Sequence, residues 1–588
     1  MPIPSKPSIA MVFAESLPIV QAAQLVRPLV VVTKPASPHN FNDFGHNFQA
    51  DCYLLLQNRA PVELNASVML FDKAHTEAAI SELLAGQPGW IDANQLTIPF
   101  CSIMHREEDY RELVFLVGLE LAVSVLRRLG DAVILKLEGG DPARVGLIGS
   151  DAFYLSMLRQ DEAWTAYRRG SRHLRYQPIP NVLDAATSFC MSVDLPSAEN
   201  AYRVDFDFGS DRLIRDRFAV LIGKNGTGKS QMLLSIIDGL ANHPDIRLVP
   251  RQKRVRFARK QAGRLRIAPP LFSRLVVFSS TPSDRYPAAI DPWRGIDYQY
   301  FSMTQPADSR FDSLTLSIVD CMRDDHRVLF PIPGESLRFG PGGGGRVAVL
   351  KFALEPLGLW TLVHLPLKDE TGSEPFTDME WNGRRYTLAS RHFNEQRRLL
   401  RYRQIDLTAV PVLLDKAGGE PRHLSSGEAA MFRFAAQATA AAETGTIFLF
   451  DEPETHLHPH FVSVFAEILH HLLALTNSVA IAATHSAHLV REAPSRRVRA
   501  MSIEDRIVTI QPPRLQTFGA SIDSISRAVF GDFETQHQYQ ATLQRWVGTL
   551  DAATTIEQVI DEFGGDMNTE SLGYVRRLLD AKRDRNGN

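Results

Sequence analysis

Short apolar runs alternate along the chain with polar breaks rich in Gly, Pro and Asn, and run length decides which element each one predicts. In the first hundred residues the runs at 29–32 (LVVV), 52–56 (CYLLL) and 66–71 (ASVMLF) are bounded by such breaks, the mark of strands. Longer amphipathic text from about 107 to 129, and again near 150–167, predicts helices. Past the Pro-bearing stretch RYQPIPNVLD, strand-like segments return at 201–208 and 217–223, then at 275–280, 446–452 and 479–485. Helical text closes the chain at 522–530, 556–563 and 572–582.

At 588 residues the chain exceeds what one compact core holds. The pattern predicts an α/β protein in three parts. A mixed α/β domain spans 1–190, with a boundary near 175–195. A doubly wound head spans 191–500, interrupted by an insertion at about 240–420, and a small helical lobe spans 501–588. No sustained heptad pattern runs between 231 and 424, which argues against a long coiled-coil arm.

Composition changes this picture little. With 44% apolar and 22% charged residues and a formal charge of -3, the chain has the make-up of an ordinary globular protein, and net charge names no partner. Cys52, Cys101, Cys190 and Cys321 are scattered without CxxC spacing, so buried free thiols and a reducing, cytoplasmic setting are expected. The start of the chain lacks the pattern of a secretory signal. The longest apolar run, 113–126, is broken by Glu120, which predicts a core helix and no membrane span.

The chemistry begins at GKNGTGKS: Gly223, Lys224, Asn225, Gly226, Thr227, Gly228, Lys229 and Ser230. It fits GxxxxGKS and lies between an apolar strand and helical text, the context a phosphate-binding loop requires. Glycines let successive N–H groups and the following helix N-terminus face phosphate oxygens. Lys229 is expected to reach the β- and γ-phosphates of ATP, and Ser230 to hold Mg²⁺. A second element, TIFLFDEP, delivers Asp451 and Glu452 at the end of an apolar strand. Such a pair suits phosphoryl transfer, Asp451 holding the metal and Glu452 orienting or deprotonating the attacking water.

The third element, HLSSGE, ends in Ser425, Ser426, Gly427 and Glu428 and leads into helical text. Alone it is an ordinary helix cap. Between the phosphate loop and the DE strand it closely resembles the LSGGQ signature of the ABC ATPase superfamily. The resemblance implies that this segment of one head covers the γ-phosphate held by another, so a homodimer or higher homo-oligomer closes around ATP. The fourth element, ATHS, places His485 at a strand end, where it resembles the switch histidine that contacts the γ-phosphate and water in ABC heads.

The four elements in this order, with DEPETHLHP, resemble the compact ABC-type ATPases of the OLD and RecF-like group. Within that group they are similar to the ATPase subunits of bacterial anti-phage modules of the Septu (PtuA) type. The resemblance covers about 195–531, including the phrase TFGASIDSISRAVFG, and leaves out the N-terminal domain. Two departures matter. No Q-loop glutamine is present in VFSSTPSDRY (277–286), leaving Ser279 or Ser280 as stand-ins. No acidic Toprim cluster follows the head. Phe206 and Phe208 are positional candidates for adenine stacking. His456, His458 and His460 follow the DE strand, and the family pattern makes them a loop rather than a metal site.

The segment 247–266 carries nine Lys or Arg and no acid. Arg254, Arg256, Arg259 and Lys260 are candidate phosphate contacts for DNA or RNA; a solvated insertion or a dock for an acidic partner fits equally. With no nuclease constellation visible, the leading expectation is an ATP-dependent switch that controls a partner effector, a nuclease, in a defence or DNA-damage module. A self-contained enzyme with a divergent N-terminal nuclease, and an ATP-driven oligomeric scaffold, remain alternatives.

Overall fold

The computed structural model describes residues 9–36, 45–174, 188–193, 198–209, 217–241, 272–280, 286–287, 296–303, 311–325, 344–369, 376–391, 393, 395–414, 419–455, 457–530, 538–551 and 553–586. Residues 1–520 form one packed unit and 521–588 a second.

The N-terminal part of the first unit is built on a five-stranded sheet. Its order is Val62–Leu64, Asp51–Leu55, Leu29–Thr33, Ala10–Ala14, Trp90–Asp92, and only the Ala10–Ala14 and Leu29–Thr33 pair runs parallel. A separate antiparallel pair joins Ala66–Leu70 to Phe100–Met104. The helical text at 107–129 folds as two helices, Glu107–Val117 and Leu119–Leu129, not one. Gly118 between them stands at φ 78°, outside the right-handed region that a continuous helix needs.

The head is a seven-stranded sheet in the order Tyr298–Ser302, Arg274–Ser279, Thr446–Asp451, Val479–Thr484, Phe218–Ile222, Val498–Glu504, Ile507–Gln511. The first six run parallel and the last is an antiparallel edge. Four central strands are buried along their whole length. Strands covered on both faces read as unbroken apolar runs, and the expected strand positions fall on them. Register then lines up the strand ends: Ser279 faces Asp451, Asp451 faces Ala483, and Ile222 faces Thr484. The loops leaving this carboxyl edge are where an open α/β sheet places a ligand. The insertion adds a four-stranded antiparallel sheet, ordered Met379–Trp381, Arg384–Leu388, Val363–Pro366, Val412–Leu413.

The N-terminal part joins the head through buried charge. Arg169 lies 2.7 Å from Asp324 and 3.0 Å from Glu443. Arg172 lies 3.1 Å from Asp297, 3.3 Å from Glu443 and 3.9 Å from Glu107. From the head, Arg274 reaches Asp297 at 2.7 Å and Glu443 at 3.7 Å, and Arg346 reaches Asp324 at 2.5 Å and Glu443 at 3.0 Å. Four guanidinium groups thus meet four carboxylates. Arg274 and Arg346 also donate to the Ala441 and Thr439 carbonyls, at the C-terminal end of the helix Ser426–Ala441, where positive charge favours a helix terminus.

The second unit holds the helices Ile522–Phe530, Gln538–Thr549, Ile556–Phe563 and Thr569–Asn586. The last three pack around Val547, Val559, Val575 and Leu579. All four cysteines are free and buried. Among the described residues no helix is long and apolar enough to cross a membrane.

Candidate nucleotide site

The phosphate loop takes its shape from its glycines. Gly226 and Gly228 stand at φ 84° and 96°, which L side chains rarely adopt. At Gly223 a Cβ would lie 2.3 Å from the Met501 carbonyl oxygen, so the loop can leave the sheet there only without a side chain. Lys229 opens the helix Lys229–Ala241 and is buried. Its ammonium donates to the Gly223 and Lys224 carbonyls at 2.9 and 3.2 Å. Burial lowers the Lys229 pKa, opposed by the nearby carboxylates of Glu452, Asp451 and Glu454.

Ser230 donates its hydroxyl to Asp451 Oδ1 at 3.0 Å, so helix and DE strand meet at one carboxylate. Asp451 is buried. Burial raises its pKa to about 6, against the pull of the Ser230 and Tyr286 hydrogen bonds, with the charge of Glu452 adding to the rise. Glu452 sits just past the strand at φ 50°, its N–H bonded to the Ala483 carbonyl at 2.8 Å. That left-handed residue turns the chain at the strand end. The Nδ1 of His485 lies 3.5 Å from Glu452 Oε1 and 3.4 Å from Glu454 Oε1.

Glu454 is a residue the sequence reading quoted within DEPETHLHP but gave no role. It is buried, accepts from the Thr484 hydroxyl and, at 3.1 Å, from the His485 N–H, and so fixes the backbone that presents His485. Tyr286, the last residue of VFSSTPSDRY, likewise carried no expected role. Its phenol donates to Asp451 Oδ2 at 2.9 Å.

The segment HLSSGE forms a helix N-terminus. Ser425 is the N-cap of Ser426–Ala441, its hydroxyl accepting from Glu428 N while the Glu428 carboxylate accepts from Ser425 N, a complete capping box. Arg422 clamps Glu428 with two bonds of 2.8 Å. The Arg422 clamp and the Ser425 bonds bring the Glu428 pKa down to about 2, despite partial burial. Gly427 is pressed against Phe461: a Cβ there would meet its ring at 2.2 Å.

Several expectations need correction or fall elsewhere. Phe206, on the inward face of the strand Tyr202–Asp207, and Phe208 just past it are buried in the head core, so neither offers a ring face to adenine. Ser280 turns its hydroxyl to the Met303 sulfur at 3.4 Å. The four basic residues Arg254, Arg256, Arg259 and Lys260 lie outside the described residues, as does His456. His458 caps the helix Pro459–Thr476, accepting from His460 N. Among the described residues no group of three or more His, Cys, Asp or Glu could hold a metal by itself. One carboxylate and one hydroxyl, Asp451 and Ser230, suit Mg²⁺, which is commonly held by few protein ligands together with phosphate oxygens and water.

Phosphate loop, DE pair and strand-end histidine stand at the ends of adjoining parallel strands, the arrangement of a P-loop α/β head. The family model described as "AAA domain, putative AbiEii toxin, Type IV TA system" matches residues 414–491, which take in the signature, the DE strand and His485. Protein ea59 of Escherichia phage lambda is 23% identical over 425 residues, covering 69% of this chain and 71% of that protein. Among solved structures, the SMC head domain from Thermotoga maritima is 11% identical with a TM-score of 0.25, covering 56% of this chain and 99% of that one. UvrA2 from Deinococcus radiodurans is 18% identical with a TM-score of 0.25, covering 56% of this chain and 37% of that one.

Proposed function

We propose that this chain hydrolyses ATP at the loop 223–230 and uses the closing of two heads as a switch. The observation that carries the reading is the convergence of Lys229, Ser230, Asp451, Glu452 and His485 at one sheet edge. Lys229 and the loop N–H groups would bind the β- and γ-phosphates. Ser230 and Asp451 would hold Mg²⁺, which when bound neutralises phosphate charge. Glu452, near His485 at 3.5 Å, would accept the proton of the attacking water. His485, its backbone fixed by Glu454, would orient that water and the γ-phosphate.

In this reading Ser425, Ser426, Gly427 and Glu428 act on the nucleotide of a second copy. The capping box keeps the first N–H groups of the helix organised, and its positive end suits an anion. The output falls to a partner effector, a nuclease, in a defence or DNA-damage module. The matched family's description as a toxin of a type IV system supports the defence setting. Nucleic-acid contact through Arg254, Arg256, Arg259 and Lys260 belongs to the same proposal.

The test combines hydrolysis with mass measurement. Lys229→Ala is expected to lose ATP-dependent assembly. Glu452→Gln is expected to bind ATP, cut turnover at least about 100-fold, in line with the loss of a general base, and accumulate closed dimers. Equal hydrolysis by wild type and Glu452→Gln refutes the role of Glu452.

A further inference from the structure

The segment 277–286, where a Q-loop glutamine is expected, holds none, yet a side chain from it does reach the candidate nucleotide site. The Tyr286 phenol donates to Asp451 Oδ2 at 2.9 Å and lies 3.4 Å from the Ser230 carbonyl. The other oxygen of the same carboxylate, Oδ1, accepts from the Ser230 hydroxyl at 3.0 Å. Two donors on two different oxygens fix the plane of the carboxylate as well as its position.

The Tyr286 ring is anchored. It packs against the head core and stands 6.5 Å from the Tyr300 ring. Of the two serines expected to serve in the glutamine's place, Ser280 is used otherwise. Ser280 gives its N–H to the Asp451 carbonyl at 3.0 Å and its hydroxyl to Met303, so it holds the strand end and leaves the carboxylate alone. Ser279 pairs with Asp451 across the sheet, within the strand itself.

We propose that Tyr286 is the positioning residue for Asp451, the carboxylate that would hold magnesium, and fills the role that a glutamine in 277–286 would have had. The inference rests on the nucleotide reading above. Each carboxylate oxygen has more than one acceptor direction. With Oδ2 engaged by the phenol, the Oδ1 edge beside Ser230 is presented to the metal and its water. A carboxylate free to rotate would spend much of its time in orientations that do not meet the ion. Partners of this outer kind are typically worth about 10–100-fold in metal affinity.

The experiment measures binding of a non-hydrolysable ATP analogue to the full chain by calorimetry, in EDTA and across a Mg²⁺ series, so turnover plays no part. Tyr286→Phe keeps the ring and removes the donor. It is expected to need about 10–100-fold more Mg²⁺ for half of the metal-dependent tightening, while its affinity in EDTA equals that of wild type. A Tyr286→Phe protein with wild-type Mg²⁺ dependence overturns the proposal, and so does an equal loss with and without metal, which would mark a merely structural role. Lys229→Ala separates the two levels. If that variant binds the analogue as wild type does, the nucleotide site itself is misassigned and the Tyr286 proposal goes with it.

Discussion

Replacing Glu443 by Gln tests the buried ionic junction with almost no change of shape. Glu443 faces four guanidinium groups at 3.0 Å (Arg169), 3.3 Å (Arg172), 3.7 Å (Arg274) and 3.0 Å (Arg346). All five residues are largely out of solvent, Arg346 and Arg274 having side chains only 1% and 3% exposed. With Glu443 in place the cluster balances four arginines against Glu107, Asp297, Asp324 and Glu443. Without its charge a net positive charge is left in a buried site. Breaking a buried pair costs about 3–5 kcal/mol, mostly from the charge left behind. Each arginine keeps one aspartate, so the lower end, about 3 kcal/mol, is expected. Urea denaturation followed by tryptophan fluorescence reads this, because Trp164 donates to Asp320 at 3.0 Å beside the junction. The double variant Arg346→Met, Glu443→Leu restores charge balance with apolar volume and should be more stable than Glu443→Gln. A loss under about 1 kcal/mol for Glu443→Gln, the range of an exposed pair, would show that the junction is water-filled and refute the argument.

Two further outcomes follow from the signature segment. Because the folded Glu428 pKa is depressed to about 2 from 4.5, its stabilisation is complete above 4.5 and is lost as pH falls from there towards 2. Arg422 is half-exposed, so screening limits the effect to about 1 kcal/mol; acid titration of Glu428→Gln beside wild type should show a shallower fall in stability in that window than wild type. Gly427→Ala puts a methyl into the Phe461 ring and should cost about 1–3 kcal/mol as overpacking, measured by urea denaturation, with Phe461→Leu in the same chain relieving part of it.

The head was legible in the sequence wherever structure is local. Its central strands are buried on both faces, so they stand out as apolar runs, and the loop at 223–230 sits where strand and helix text meet. Position alone makes Phe206 and Phe208 candidates for adenine stacking, whereas the alternation of Tyr202, Val204 and Phe206 with polar residues points them inward. Tyr286 was not legible: it reaches Asp451 from a distant loop, and no spacing rule records that. Arg169 and Arg172 read as ordinary polar positions at the end of a helix, because their partners Asp297, Asp324 and Glu443 lie far along the chain. The helix Gln538–Thr549 was not expected, although Leu543, Trp546, Val547 and Leu550 recur at helical spacing and pack in the core of the second unit.

The contact between Gly427 and Phe461 bears on what can be inherited together. The Gly427 face of this segment is closed by a ring from the helix Pro459–Thr476, outside the motif as it is usually written. A lineage that enlarged residue 427 would need a smaller residue at 461 at nearly the same time, so these two positions should drift as a pair. The signature of this chain is a unit of two segments, and a search that tracks only the first would misjudge which changes it tolerates.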